Sequence, residues 1–138
     1  FDIMKDLKLR SEIGVDFLLF KDDRFQPTTT NTGAGSNGLG QVGVNTDLNW
    51  VWKNNLTYTK TIADDHKITA LAGVEYQQST FESVFAQATV FPGNTIRRLS
   101  AGATKGDASS GGSVWGIESY LTRVNYAYKG KYLFSGSV

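Results

Sequence analysis

The chain has 138 residues, a net charge of +1 and no cysteine. This length predicts a single domain, and the balanced charge, with no dense basic run, argues against a nucleic-acid-binding surface. Without cysteine the chain can form neither a disulfide framework nor a thiolate site, and no apolar run is long enough for a transmembrane helix.

The first predicted elements are a strand end at residues 1–3, a tight turn at Lys5 and Asp6, and a long strand at 7–20. Successive side chains of a strand point to opposite faces, so alternation of apolar and polar residues predicts one apolar face. In this strand the apolar parity carries Leu7, Leu9, Ile13, Val15, Phe17 and Leu19, and the polar parity carries Lys8, Arg10, Glu12, Gly14 and Asp16.

A long polar loop is predicted at 21–45, and residues 33–38 within it match the G-x-G-x-x-G pattern of dinucleotide sites. That motif functions between a buried strand and the N-terminus of a helix. Here a Thr-rich segment precedes it and no helix is predicted after it. The pattern therefore predicts a flexible surface loop rather than a nucleotide site.

Two further strands are predicted at 46–62 and 67–82, joined by a short connection. That connection carries Asp64, Asp65 and His66, which fit a tight turn better than a metal or acid–base site because Asp forms local turn hydrogen bonds. The apolar parity of the two strands carries Trp50, Trp52, Leu56 and Tyr58 in the first and Ile68, Ala70, Ala72, Val74 and Tyr76 in the second.

A second long loop is predicted at 83–113, followed by strands at 114–128 and 132–138 around a tight turn at 129–131. In the first of these strands Tyr120, Val124, Tyr126 and Tyr128 alternate with Arg123 and Asn125. No serine in the chain has His and Asp partners arranged for a hydrolase triad. The sequence predicts no enzymatic activity, no cofactor and no metal site.

The predicted strands, at roughly 14 to 17 residues, exceed the 5–6 residues usual in globular domains and the 9–11 needed to cross a bilayer. Short turns on one side and long polar loops on the other are typical of outer-membrane barrels, with the turns periplasmic and the loops extracellular. Every strand edge in lipid must be paired, and four long strands with two partial ones cannot close. We therefore expect an all-β, antiparallel segment of a larger transmembrane β-barrel.

Charge placement predicts which face meets lipid, because a Lys or Arg facing the midplane costs roughly 2–4 kcal/mol. Lys60 and Glu118 take the apolar parity, but next to a turn and a long loop, where we expect the membrane interface. Leu18, Leu71 and Leu121 take the polar parity against the rule. The charged parity is predicted to line an aqueous lumen, with Arg10, Glu12, Lys53, Glu75 and Arg123 as lumen-facing candidates.

Aromatic residues gather at two levels of the predicted strands, as in the girdles at the two interfaces of a membrane barrel. An alternative interpretation places the same rings in half of the core of a soluble β-sandwich. The membrane-interface candidates are Tyr58, Tyr126, Tyr128 and Tyr132 beside the short turns, and Trp50 and Tyr76, with Phe17, toward the long loops.

Several segments together resemble the SusC-type (SusC/RagA) TonB-dependent transporters of the Bacteroidetes outer membrane. The order and spacing of the segments fit that family over most of the chain outside the loops. The matching segments are 5–10 (KDLKLR), 52–60 (WKNNLTYTK), 65–68 (DHKI), 71–77 (LAGVEYQ), 119–128 (SYLTRVNYAY) and 131–133 (KYL).

The resemblance implies a barrel of about 22 strands, of which this chain would be a middle section without the plug domain. It also implies import of glycans or peptides across the outer membrane, with a SusD-like surface lipoprotein as partner and TonB as the energy source. No substrate contact of the family maps onto a motif in this chain. The alternatives are an outer-membrane pore without energy coupling and a soluble all-β binding module.

Overall fold

The computed structural model describes residues 1–138 and consists of one six-stranded sheet with two short helices. Neighbours in the chain are neighbours in the sheet, in the order β1 to β6. The strands are β1 (Asp2–Met4), β2 (Leu7–Gln26), β3 (Leu39–Ile62), β4 (His66–Thr89), β5 (Thr104–Tyr128) and β6 (Tyr132–Ser137), with α1 at Asn31–Gly35 and a 3₁₀ turn at Leu99–Ala101. Neither helix has the length and hydropathy needed to cross a bilayer.

The four long strands extend further than their apolar alternation predicts. β2 continues to Gln26, β3 begins at Leu39, β4 continues to Thr89 and β5 begins at Thr104. The predicted loops at 21–45 and 83–113 are therefore too long. The added stretches carry polar residues on both parities, so they lack the period-two signal, yet backbone ladders hold a strand whether or not one face is apolar.

The chain divides into two compact units. The short-turn unit comprises residues 1–15, 49–78 and 115–138, and the long-loop unit comprises residues 16–48 and 79–114. The short-turn unit contains the three tight connections β1–β2, β3–β4 and β5–β6, whereas the long-loop unit contains the connections 27–38 and 90–103.

The tight turns of the short-turn unit use left-handed backbone conformations. Ala63 and Asp64 have φ of 50° and 58°, and Lys129 and Gly130 have φ of 51° and 67°. Two consecutive residues with positive φ produce a turn whose twist matches that of the flanking antiparallel strands. Such turns reverse the chain within a few residues and hold the strand pairs in register.

No residue of the short-turn unit is fully buried. Leu56 is 37% exposed, and Trp50, Val74 and Tyr126 are only partly covered. A two-layer soluble core would seal these four side chains, so this unit does not have the packing of a β-sandwich.

The buried side chains lie in the long-loop unit, around Phe91. Phe91 is 4% exposed and Ala88 is 1% exposed. The Phe25 ring meets the Phe91 ring edge-on at 5.0 Å between centroids. A Cβ atom on Gly40 would lie 2.7 Å from Phe91 Cζ, so only glycine at that position leaves room for the ring.

The glycine-rich stretch includes a helix that the sequence did not predict. In α1, Thr30 caps the N-terminus by accepting a hydrogen bond from the Gly33 N–H at 3.1 Å. Gly33 and Gly35 lie inside this single turn, and Gly38 follows it with φ of 90°. In a dinucleotide site the glycines precede the helix and approach a phosphate. Here Gly38 makes room for Phe91 instead, because a Cβ atom on residue 38 would lie 3.3 Å from the Phe91 Cβ.

Candidate functional site

Apolar-parity side chains of the short-turn unit form a row across β2, β3, β4 and β5. Trp52 donates its indole N–H to the Ser11 hydroxyl at 3.0 Å, and its ring stacks on Tyr76 with centroids 6.1 Å apart. On β5 the Tyr120 hydroxyl donates to the Glu118 carboxylate, and Tyr76 lies within hydrogen-bonding reach of both. These contacts place five side chains on one face of the sheet. We name this group the Trp52 row; its members are Ser11, Trp52, Tyr76, Glu118 and Tyr120.

A second group of rings, the His66 cluster, lies beside the short turns. His66 Nδ1 is 2.6 Å from the Tyr126 hydroxyl, and the imidazole centroid is 4.8 Å from that of Tyr128. The Tyr128 and Tyr132 rings are stacked at 6.4 Å. The turn pattern predicts only a turn position for His66, although its parity, which it shares with Tyr76, puts it on the aromatic face.

The distance between the two aromatic groups matches a membrane. Ten residues separate His66 from Tyr76 on β4, and eight separate Tyr120 from Tyr128 on β5. At about 3.3 Å per residue and a tilt of about 40°, this spacing spans roughly 20–25 Å, close to the apolar band of about 25 Å between girdles.

Not every predicted girdle residue joins these groups. Trp50 and Tyr58 make none of the ring contacts above, and Tyr58 is 40% exposed. The assignment of the girdle residues to the membrane interfaces stays a prediction.

The polar parity of the short-turn unit carries two ion pairs. Lys53 Nζ lies 3.1 Å from a Glu75 carboxylate oxygen, and Arg10 lies 2.7 Å from Glu12. Arg123 forms neither of these pairs, so Glu75 is held by Lys53 rather than by Arg123. Exposed ion pairs contribute about 0–1 kcal/mol, so these charges polarise the wall more than they stabilise it. That this face lines a lumen stays a prediction.

Two residues that break the parity rule have local explanations. Leu121 lies on the polar face above Gly73, where a Cβ atom would be 2.9 Å from the leucine Cγ. Lys60 lies on the apolar parity, but its ammonium bonds the Asp6 carboxylate at 3.0 Å beside a tight turn. The leucine fills a space left by glycine, and the lysine is neutralised at the end of its strand.

The arrangement offers no reaction centre. The one histidine contacts tyrosine rings, and Asp65 pairs with Lys129 at 3.5 Å. What the short-turn unit does present is a face with two aromatic levels and an opposite face with paired charges. A barrel wall between hydrocarbon and water requires two such faces, and this role of the unit stays a prediction.

Comparisons with known proteins find relatives among TonB-dependent receptors, although no family model matches the chain. TonB-dependent receptor P3 of Formosa agariphila is 31% identical over 137 residues, which are 98% of this chain and 14% of that receptor. TonB-dependent receptor P26 of the same organism is 33% identical over 134 residues, covering 92% of this chain and 13% of the receptor. Over nearly its whole length the chain is therefore similar in sequence to TonB-dependent receptors. It spans about one seventh of the length of these relatives.

Solved structures agree with this similarity at the level of the fold. The RagAB peptide transporter superimposes with a TM-score of 0.84 over 97% of this chain and 15% of that chain, at 22% identity. The RagAB peptide importer in its open-open state superimposes with a TM-score of 0.79. The predicted family resemblance and the all-β antiparallel barrel segment are thereby confirmed, while closure of the barrel and its strand number stay predictions.

The relatives also bear on the predicted location of the chain and on the predicted lack of enzymatic activity. TonB-dependent receptors are outer-membrane proteins and not enzymes, so the predicted outer-membrane location and the predicted lack of enzymatic activity are confirmed.

Proposed function

We propose that this chain is part of the barrel of an outer-membrane importer that takes up peptides or glycans with energy supplied through TonB. The observation that carries the proposal is 31% identity to a TonB-dependent receptor across 98% of the chain, together with the TM-score of 0.84 to a peptide transporter. The plug domain and the segment that contacts TonB belong to other parts of such a receptor.

In this proposal the two faces of the short-turn unit have separate tasks. The Tyr76 and Tyr120 rings of the Trp52 row mark one membrane interface on their strands, and the His66 cluster marks the other. The apolar residues between these two levels meet acyl chains. The opposite face, with Arg10, Glu12, Lys53, Glu75 and Arg123, lines the aqueous path. These residues shape and polarise the path, and none of them performs chemistry.

The two connections of the long-loop unit are the candidates for outside contacts. Residues 27–38 and 90–103 are held together by Val90 N–H and Phe91 N–H donating to the Ser36 and Asn37 carbonyls at 3.1 and 2.9 Å. The Thr28 N–H also donates to the Asn94 side-chain oxygen at 3.0 Å. We propose that this joined pair of loops touches the substrate or a SusD-like lipoprotein.

Uptake by the full-length receptor tests the proposal. Labelled oligopeptides and oligosaccharides are offered to cells with the intact gene, to cells lacking it, and to cells lacking TonB. We expect uptake of one substrate class, lost in both deletion strains. Uptake that persists without TonB would identify a passive pore instead. Deleting the gene for the neighbouring lipoprotein, or replacing residues 90–103 by a short glycine linker, then tests the partner and the loops.

A further inference from the structure

The long-loop unit contains an open groove of about 1180 Å³ whose lining is rich in cations. Lys21, Arg24, Arg97 and Arg98 line it, against a single lining carboxylate, Asp23, which gives a net charge of +3. Asp23 is already paired, because it lies 2.9 Å from Lys21 Nζ. Arg24 is paired with Asp22 outside the lining, so two cations, Arg97 and Arg98, have no carboxylate that neutralises them.

The two adjacent arginines are the unsatisfied part of this groove. Arg97 lies over the Phe25 ring at 5.6 Å and donates from Nε to the Asn94 carbonyl at 3.3 Å. Neither Arg97 nor Arg98 forms an ion pair, whereas Arg24 is paired with Asp22 at 3.0 Å. A guanidinium presents several donors in one plane and suits the oxygens of a phosphate.

The groove is also amphipathic. Ile96, which is 55% exposed, and Leu99 line it beside the two arginines. A fully hydrated anion gains nothing from such apolar neighbours. A molecule with a phosphate next to hydrocarbon fits both kinds of surface.

The position of the groove along β2 favours a membrane lipid as the molecule that carries this phosphate. Phe17, Leu19, Lys21 and Phe25 share one parity of this strand, and the first two, at 61% and 59% exposure, belong to the face proposed to meet lipid. Lys21 follows Leu19 by two residues, about 6.6 Å along the strand. The cations therefore begin where the apolar band ends, at the depth of lipid headgroups.

We propose that this groove binds the phosphate of an outer-leaflet lipid headgroup through Arg97 and Arg98, with Lys21 at its lower rim. The inference rests on the proposed direction of the faces, in which the parity of Leu19 meets lipid and the long loops are extracellular. It adds a lipid site to the receptor and requires nothing of the imported substrate.

Lipid binding to the purified, delipidated full-length receptor tests the site. Retention is measured by native mass spectrometry with bisphosphorylated lipid A and with the same lipid A after dephosphorylation. A cation near an anionic membrane surface strengthens binding about fivefold, so we expect Arg97→Gln/Arg98→Gln to weaken lipid A binding ~30-fold. The control Lys67→Gln/Lys131→Gln removes the same charge from the short-turn unit and should leave binding unchanged.

Three results would overturn the proposal: equal binding of dephosphorylated lipid A, unchanged affinity in the double arginine variant, or displacement of lipid A by an acidic hexapeptide or inorganic phosphate at equal concentration. Hydrogen exchange at the Phe91 amide checks that the variant keeps its loops folded. Arg97→Lys/Arg98→Lys, which keeps the charge, should lose only part of the affinity. The direction of the faces is tested separately by the substitutions Ala70→Arg and Thr69→Arg. Failure of the lipid site and failure of the orientation therefore give different results.

Discussion

Replacing Phe91 by alanine should release both connections of the long-loop unit at once. The side chain is 4% exposed and is enclosed by the Phe25 ring and by Gly38, Gly40 and Gly102. Truncation of a buried phenylalanine costs about 3–5 kcal/mol through lost transfer energy and the remaining cavity. Because the loops can partly collapse into the space, we expect ~3 kcal/mol, which raises the local opening equilibrium on the order of 100-fold.

Hydrogen–deuterium exchange of the full-length receptor measures this opening. The Val90 and Phe91 amides are direct reporters, because they bond to the Ser36 and Asn37 carbonyls in the other connection. We expect faster exchange in peptides covering both 27–38 and 90–103. Phe81→Ala is the matched control, since Phe81 lies in β4, ten residues before Phe91, but is 39% exposed, and its replacement should leave the loops protected. Unchanged exchange in the Phe91 variant, or opening of one loop alone, would refute the idea of a shared core.

Three further predictions concern the faces, the ion pair and a strained residue. Ala70→Arg should destabilise the inserted barrel by roughly 2–4 kcal/mol, whereas Thr69→Arg, one residue away on the other parity, should change its stability by no more than about 1 kcal/mol. Urea unfolding in lipid vesicles measures both variants, and equal losses of stability would contradict the assigned faces. A double-mutant cycle of Lys53→Gln and Glu75→Gln should give a coupling of about 0.2–1 kcal/mol that fades in high salt, and a larger, salt-independent value would mean that the pair is more deeply buried than it is here. Val90 has φ of 60°, so Val90→Gly should relieve about 1 kcal/mol of strain and slow exchange at the Phe91 amide, whereas faster exchange would show that no strain is stored there.

Much of the fold follows from the sequence because one rule, alternation, acts wherever one face is apolar. Leu7, Trp52, Tyr76 and Tyr120 all lie in strands where that rule predicted strands, and the contacts of the Trp52 row put the last three on one face. Alternation gives no strand signal where both faces of a strand are polar. The outer parts of β2, β3, β4 and β5 were therefore predicted as loops.

The residues of the candidate sites likewise fall into those that alternation identifies and those that it does not. Charges on the polar parity could be named from the sequence, but the partner of Glu75 could not, because alternation gives the face of a residue and not the cross-strand register. Phe91 and its glycines were missed for another reason. A contact between residues 25, 40 and 91 joins segments far apart in the chain, and no local pattern encodes it.

The short-turn unit has no buried side chain, and this affects its biogenesis. In the proposed orientation, such a unit is stabilised by the neighbouring strands of the barrel and by lipid, so we expect that it does not fold alone in water. Before insertion, its long strands with one exposed apolar face would associate with other chains. The proposal therefore implies that the chain needs protection from aggregation until it enters the membrane.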